Sequence, residues 1–330
     1  MDYFYELGIN LVLVIQGLGE WLLTPMKLFS FMGSAEFYFL ILTFLYWCID
    51  STLGVRVGMI LLVSNWINDS LKIGIHSARP FWVSRRVESF VFEYSFGFPS
   101  GHAQNSAAVF GLLAATFQQW WVRLISLSLI FLIGISRIYL AVHFPQDVIL
   151  GWLIGFLLVW IFLRFEKQVA LWFQHQTLPI SILILFLASI SMLLIGFLLR
   201  YLVAGWQMPL AWIENARLAF PDKEIINPLS TTGLLLTSGV FFGFSSGTLW
   251  LSTRVEFSAK GTWDRRISRF FLGFIGVAIM WFGVGSFLPE EAGIFSYMLS
   301  YLIFSGIGLW ISAFAPLIFL HLKLAEPKSN

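Results

Sequence analysis

Nine stretches of this 330-residue chain are apolar enough to serve as membrane-crossing helices, and that limits the fold more than any other property. A helix needs roughly 20 apolar residues to span a bilayer, and fewer where flanking side chains snorkel. The stretches fall near 36–50, 53–71, 101–118, 122–142, 147–165, 178–202, 228–252, 268–288 and 293–322. The first is short and interrupted by Glu36. Residues 3–25 differ, because Glu6, Gln16 and Glu20 break up an apolar run containing Trp21 and Leu23. That pattern suits a helix lying at the membrane interface. Charged residues make up only 12% of the chain, half of the roughly 25% common in soluble domains. The expectation is an all-α fold: a polytopic transmembrane helical bundle of about nine spans plus an N-terminal interfacial helix.

A net charge of +2 is too small to point to nucleic acid as a partner. The single cysteine, Cys48, excludes an intrachain disulfide and a cysteine-based zinc site, and its apolar run predicts a buried, inert thiol. Met1-Asp2-Tyr3 lacks the basic start of a signal peptide, so this end is expected to remain in the mature protein.

Against that apolar background, three short motifs stand out. They are Lys72 with Arg79-Pro80, then Pro99-Ser100-Gly101-His102, then Ser136-Arg137 with His143 and Asp147. A cluster of charges beside a membrane core is a functional site by default, because each one is costly there. Cations and backbone amides bind phosphate, and two imidazoles can divide nucleophile and acid roles. Pro80 biases the preceding residues away from helical geometry, which lets the Arg79 guanidinium turn toward the site. Ser100-Gly101 stands where a loop becomes a span, and a helix N-terminus offers unpaired amides to an anion. Ser100 can both cap that helix and donate a hydrogen bond, while Gly101 permits close approach. His102 follows beside the bound group, placed to protonate a leaving oxygen. His143 and Asp147 are one helical turn apart, so the carboxylate can orient the imidazole and stabilise its positive charge after attack. Arg137 supplies a third cation, and Asp69, one turn before Lys72, reads as its structural ion partner. His76, His175 and His321 lack such context and read as solvent or interface residues.

Two spans separate the loops 72–100 and 136–147, so these loops share a face whichever way the chain inserts. With the N-terminus outside, eleven basic residues fall in inside segments and six outside, once the three motif cations are set aside. That is the direction of the positive-inside rule, and it puts the motif loops on the extracytoplasmic side. Gly239, Gly243 and Gly247 recur every four residues and predict a smooth helix face for close packing. Residues 254–269 read as a basic loop touching anionic headgroups. Residues 203–227, with Trp206, Trp212 and Pro221, read as a loop able to cover the mouth of the site.

At its motifs the chain resembles the type 2 phosphatidic acid phosphatase superfamily, which also contains glucose-6-phosphatases and vanadium haloperoxidases. Its pattern is Lys, six residues, Arg-Pro; then Pro-Ser-Gly-His; then Ser-Arg, five residues, His, three residues, Asp. Every position is matched here, over about residues 36–165. The resemblance implies a helical core and metal-independent dephosphorylation through a phosphohistidine, with no cofactor. By it, His143 is the nucleophile, His102 the general acid and Asp147 the orienter, while Lys72, Arg79, Ser100, Gly101 and Arg137 bind the phosphoryl group. It also divides the chain into an interfacial segment 1–35, a phosphatase core 36–165 and additional transmembrane helices 166–330. The implied substrates are lipid phosphates or isoprenoid pyrophosphates that arrive laterally from the bilayer. Nine spans and Arg79-Pro80-Phe81-Trp82 look closer to the glucose-6-phosphatase layout, which keeps a soluble sugar phosphate open as an alternative. A non-catalytic lipid-binding or transport protein on the same fold is a third reading, opposed by the presence of both His102 and His143. A haloperoxidase does not suit so hydrophobic a chain.

Overall fold

The structure, a computed structural model, describes residues 3–223, 226–284 and 293–328. Its helices are α1 (Tyr3–Gln16), α2 (Leu23–Phe31), α3 (Ala35–Phe44), α4 (Ser51–Ile75), α5 (Pro80–Val83), α6 (Gly101–Thr116) and α7 (Trp120–Tyr139). They continue with α8 (Pro145–Gln174), α9 (Leu178–Leu202), α10 (Leu210–Ala219), α11 (Thr232–Ser252), α12 (Trp263–Ala278), α13 (Ile294–Leu309) and α14 (Ala315–His321). Two short strands, β1 (Phe257–Ser258) and β2 (Glu326–Pro327), pair antiparallel, so the protein is nearly all-α.

Among the described residues, six helices are long and apolar enough to cross a membrane: Trp120–Tyr139, Pro145–Gln174, Leu178–Leu202, Thr232–Ser252, Trp263–Gly283 and Ile294–His321. The stretches 36–50, 53–71 and 101–118 fall outside that set. The helix from Ala35 to Ile49 is too short, and α6 has 16 residues. In α4, 25 residues long, Arg56, Asn65, Asn68, Asp69 and Lys72 dilute the apolar character. The last residues of the stretch 268–288 lie outside the described ones. At the N-terminus, Tyr3–Gln16 and Glu20–Phe31 meet at 87°, a bent pair that could count as a seventh span. Large apolar side chains point outward along these helices, among them Leu153, Trp160, Leu187 and Leu194. Apolar surface on that scale is stable against lipid and not against water.

The chain forms two compact units that interleave in sequence. The first comprises Met1–Tyr38, Ile67–Leu163 and Gly196–Ser230, and the second Phe39–Trp66, Arg164–Ile195 and Thr231–Asn330. All the motif residues belong to the first. Its core joins Ile9 and Val12 of α1 to Trp82, Phe96, Phe144 and Val148. Within it, α8 crosses α6 at small residues: a Cβ on Gly151 would lie 2.7 Å from the Ser100 carbonyl oxygen. Such close backbone approach is what glycine permits.

In the second unit, the glycine face of α11 packs on α13 as expected. A Cβ on Gly239 would stand 2.8 Å from the Tyr301 carbonyl oxygen, and one on Gly308 would stand 2.6 Å from that of Val240. Tyr46 and Trp47 anchor the same unit by donating to Ser312 O (2.8 Å) and Ile311 O (2.9 Å). Cys48 is buried, its sulfur 3.2 Å from Arg266 O. The basic segment 254–269 is less of a loop than expected, because α12 begins at Trp263. Arg269 is fully buried and donates to Ser258 O, Ala259 O and Lys260 O, so it organises its own loop and is not free for headgroups.

Candidate active site

In the first unit the motif residues lie from the end of α4 to the start of α5, at the start of α6 and around the turn from α7 to α8. Lys72 stands in the last turn of α4, and its Nζ donates to Ser95 Oγ (2.9 Å). Asp69 therefore does not take the ammonium directly; it acts on Lys72 only electrostatically, at longer range.

Arg79 precedes Pro80, the first residue of α5, and has the extended backbone that a following proline favours (φ −96°, ψ 158°). Its buried guanidinium ties two backbone segments together, residues 95–96 and Val142. Nε donates to Ser95 O (2.6 Å), NH1 to Val142 O (2.8 Å) and NH2 to Phe96 O (3.2 Å) and Ser95 Oγ (3.1 Å). NH1 also lies 3.3 Å from His143 Nε2. Burial lowers the Arg79 pKa to about 10, so it stays charged at neutral pH.

Ser100 caps α6, accepting from the Ala103 amide at 3.5 Å, and its own amide donates to Asp147 O (3.0 Å). Asn68, on α4, braces the same turn by donating to Pro99 O (3.2 Å) and Gln104 Oε1 (3.0 Å). A Cβ on Gly101 would stand 2.8 Å from Asn68 Oδ1, so the need for glycine here is steric. His102 follows in the first turn of α6, against Gly33, where a Cβ would come 3.0 Å from the His102 ring.

Arg137, in the last turn of α7, is buried and donates through NH1 to Ser30 Oγ of α2 and through NH2 to Glu93 Oε1. His143 sits in the turn between α7 and α8. Its Nδ1 is 3.5 Å from Asp147 Oδ2, short of a hydrogen bond, while that oxygen accepts from the Phe144 amide at 2.8 Å. An arginine nitrogen can only donate, so the nearness of Arg79 NH1 leaves a lone pair on Nε2 and the ring proton on Nδ1, toward Asp147. Burial, reinforced by Arg79, Arg137 and Lys72, holds the His143 pKa well below the usual imidazole range. That shift favours the neutral form of the ring. Ser136, by contrast, bonds only within its helix, to Ile133 O (2.7 Å).

Two residues that the motifs do not include stand inside the cluster. Ser95 Oγ accepts from both Lys72 and Arg79, so its own proton is left to donate elsewhere. Glu93 bridges Arg137 and Arg79, its Oε2 lying 3.5 Å from Arg79 NH2. Burial opposes its charge, but the two arginines outweigh burial and hold the carboxyl well below the usual carboxylate range. The signal was present in the sequence, because Glu88 and Glu93 are the only acids between Lys72 and Ser100. A search for phosphate-binding cations passes over an acid.

Residues 203–223 pack against the segments around His76 and 92–96. Trp206 packs edge-on or tilted against His76 (4.8 Å between ring centres) and Phe96 (5.5 Å), and Phe220 meets Phe92 (5.2 Å). A cavity of about 200 Å³ opens there, lined by Phe92, Ile213, Arg217, Phe220, Lys223 and Ile226. His76 is thus an aromatic packing partner.

Residues 53–170 match the PAP2 superfamily, and residues 235–327 match the transmembrane extension of PAP2 superfamily phosphatases. The chain belongs to the PAP2 superfamily, in its membrane-type form. It is 31% identical to phosphatidylglycerophosphatase B of Bacillus subtilis (strain 168) over 125 residues, 35% of this chain and 59% of that protein. It is 27% identical to glucose-6-phosphatase 3 of Bos taurus over 178 residues, 47% of this chain and 51% of that protein. The chain thus spans between half and three-fifths of these two relatives. A crystal structure of a transmembrane PAP2-type phosphatidylglycerolphosphate phosphatase from Bacillus subtilis superposes with a TM-score of 0.44 at 24% identity, over 51% of this chain and 89% of that one.

Proposed function

We propose that the protein is an integral membrane phosphatase that hydrolyses lipid phosphates or isoprenoid pyrophosphates through a phosphohistidine. The observation that carries this reading is His143, held neutral with Nε2 3.3 Å from Arg79 NH1 and Nδ1 turned to Asp147. Nε2 attacks phosphorus while Lys72, Arg79, Arg137, the Gly101 amide and the Ser100 hydroxyl hold the non-bridging oxygens. The bond to the leaving oxygen breaks as His102 gives that oxygen its proton. His102 then takes a proton from water, the water oxygen attacks phosphorus, and inorganic phosphate leaves with His143 restored. Asp147 stabilises the imidazolium character between the two steps. This chemistry needs cations and amides where a metal mechanism needs converging carboxylates, so the reaction is metal-independent and uses no cofactor.

The lipid reading is favoured by exposed apolar helices, which let an amphiphile reach the loops from the bilayer, and by the name of the bacterial relative. A soluble sugar phosphate is the second reading, favoured by the longer alignment with a glucose-6-phosphatase. We retain nine spans, counting 36–50, 53–71 and 101–118. The 25 residues of α4 reach about 37 Å, beyond the roughly 30 Å hydrocarbon core, and Asn68, Asp69 and Lys72 gather at one end of it. The division into an interfacial segment 1–35, a phosphatase core 36–165 and additional helices 166–330 belongs to the same proposal. So does the placing of the motif loops outside, which rests on the distribution of basic residues.

Phosphate release from phosphatidate, undecaprenyl pyrophosphate, a sphingoid phosphate and glucose 6-phosphate tests the reading in detergent. Wild-type protein should turn over at least one lipid substrate in EDTA, be inhibited by orthovanadate, and yield an acid-labile, alkali-stable phosphoenzyme. His143→Ala should fold and lose turnover. Full activity in that variant, or loss of wild-type activity in chelator that metal restores, would overturn the mechanism.

A further inference from the structure

We propose that Glu93 is a built-in anion that occupies the phosphoryl-binding cations until a substrate phosphate displaces it. The inference rests on the phosphotransfer reading above and adds a competitor to it. Its carboxylate contacts Arg137 NH2 and lies 3.5 Å from Arg79 NH2, while Lys72 and His102 act on it electrostatically. These are four of the groups assigned to the phosphoryl group and its leaving oxygen. The phosphoryl group must meet the same faces of those side chains.

Three further observations separate a displaceable anion from a fixed brace. Arg79 and Arg137 side chains are 0% and 1% exposed, whereas Glu93 is 23% exposed, so the carboxylate has a way out that the arginines lack. It sits in the stretch between α5 and α6, which has no helical ladder to hold it. Arg79 is already fixed by Ser95 O, Val142 O and Phe96 O, and Arg137 by Ser30, so neither guanidinium depends on Glu93 for its place. What the carboxylate supplies is charge. Two buried guanidiniums side by side are costly without a counter-ion. Glu93 neutralises them at rest, and a phosphate carrying close to two charges replaces its single one. Carboxylate and phosphate cannot share the cations without like-charge repulsion, so binding and displacement are one event. Resting-state neutralisation is thereby exchanged against affinity.

The test uses the full-length protein and two competitive anions, orthovanadate and inorganic phosphate. Glu93→Gln keeps the shape and removes the charge, so both inhibition constants and KM should fall by about tenfold or more, as expected when one buried competing charge is removed. kcat should not rise in parallel, because faster capture is offset by slower phosphate release. Inhibition constants that stay the same or increase would overturn the proposal and make Glu93 a structural brace. Hydrogen exchange gives a second arm that needs no variant. Peptides covering 88–94 of the wild type should exchange faster with orthovanadate bound, since the loop has lost its tie to the arginines, and slower exchange there would overturn the inference. Wild-type turnover and vanadate inhibition, measured alongside, carry the phosphatase reading on their own, so Glu93 can fail without it.

Discussion

Replacing Arg79 by lysine keeps one positive charge and removes a fork, which makes it an informative perturbation of the site. The arginine satisfies Ser95 O, Val142 O and Phe96 O from three different nitrogens, at 2.6, 2.8 and 3.2 Å. A lysine has one nitrogen, and the acceptors come from two separate segments, so at least two of these carbonyls lose their charged donor. Hydrogen bonds to charged groups contribute about 1.5–3 kcal/mol each, so the low end predicts a loss of about 3 kcal/mol of stability. The activity loss has a different origin. Val142 and His143 are held against residues 95–96 by this one side chain, and releasing them lets Nε2 drift from the line of attack. A misplacement of about 1 Å costs on the order of a hundredfold in rate. Arg79→Lys in detergent should therefore show an unchanged span architecture by circular dichroism, an earlier thermal midpoint, and kcat/KM about a hundredfold below wild type. A variant within threefold of wild-type kcat/KM, at an unchanged midpoint, would show that a point charge suffices and refute the clamp.

Three more expectations follow from the same geometry. Gly101→Ala should abolish most activity because its Cβ meets Asn68 Oδ1 at 2.8 Å, and adding Asn68→Ala should recover part of it; no recovery in the double variant would point to the backbone instead of the clash. His143 must be neutral to attack and its pKa lies well below 6.5, so kcat/KM, corrected for ionisation of the substrate, should show no loss on acidification from neutrality to pH 6.5; an acid limb above 6.5 assigned to His143 would contradict its depressed basicity. In intact cells carrying Cys48→Ala, an impermeant thiol reagent should label Ser89→Cys and spare Gly261→Cys until the membrane is opened; the reverse pattern would put the site in the cytoplasm.

The motif spacings in the sequence pointed to the groups that the structure draws together, because phosphate chemistry demands cations, a helix start and a histidine–carboxylate pair at set intervals. Hydropathy also pointed to helices throughout, yet it counted α4 and α6 as spans where length and composition alone do not. The polar groups of α4 are spent on the site: Asn68 braces Pro99, and Lys72 reaches Ser95. A hydropathy profile cannot tell such inward-facing polarity from an interruption. Glu93 and Ser95 are easily passed over for a related reason. Their partners are 14 to 44 residues away in sequence, and neither falls at an interval that local geometry dictates. Arg269 shows the same limit in the second unit, where a charge that reads as surface is fully buried on three carbonyls.

The two N-terminal helices lie outside the stretch that matches the family, which starts at residue 53. They and the turn after them nonetheless touch the cluster at several points. Ser30 holds Arg137, Gly33 makes room for the His102 ring, and Tyr5 packs on Phe144, the neighbour of His143, at 5.4 Å. Gln16 pins Glu88 O and Tyr139 O together, and Glu6 takes Arg86. A chain trimmed to the matched stretch would keep every motif residue and lose a wall around them. For anyone preparing this protein, the first helices have to stay with the motif cluster, and a truncation that removes them strips contacts from Arg137, His102 and Phe144.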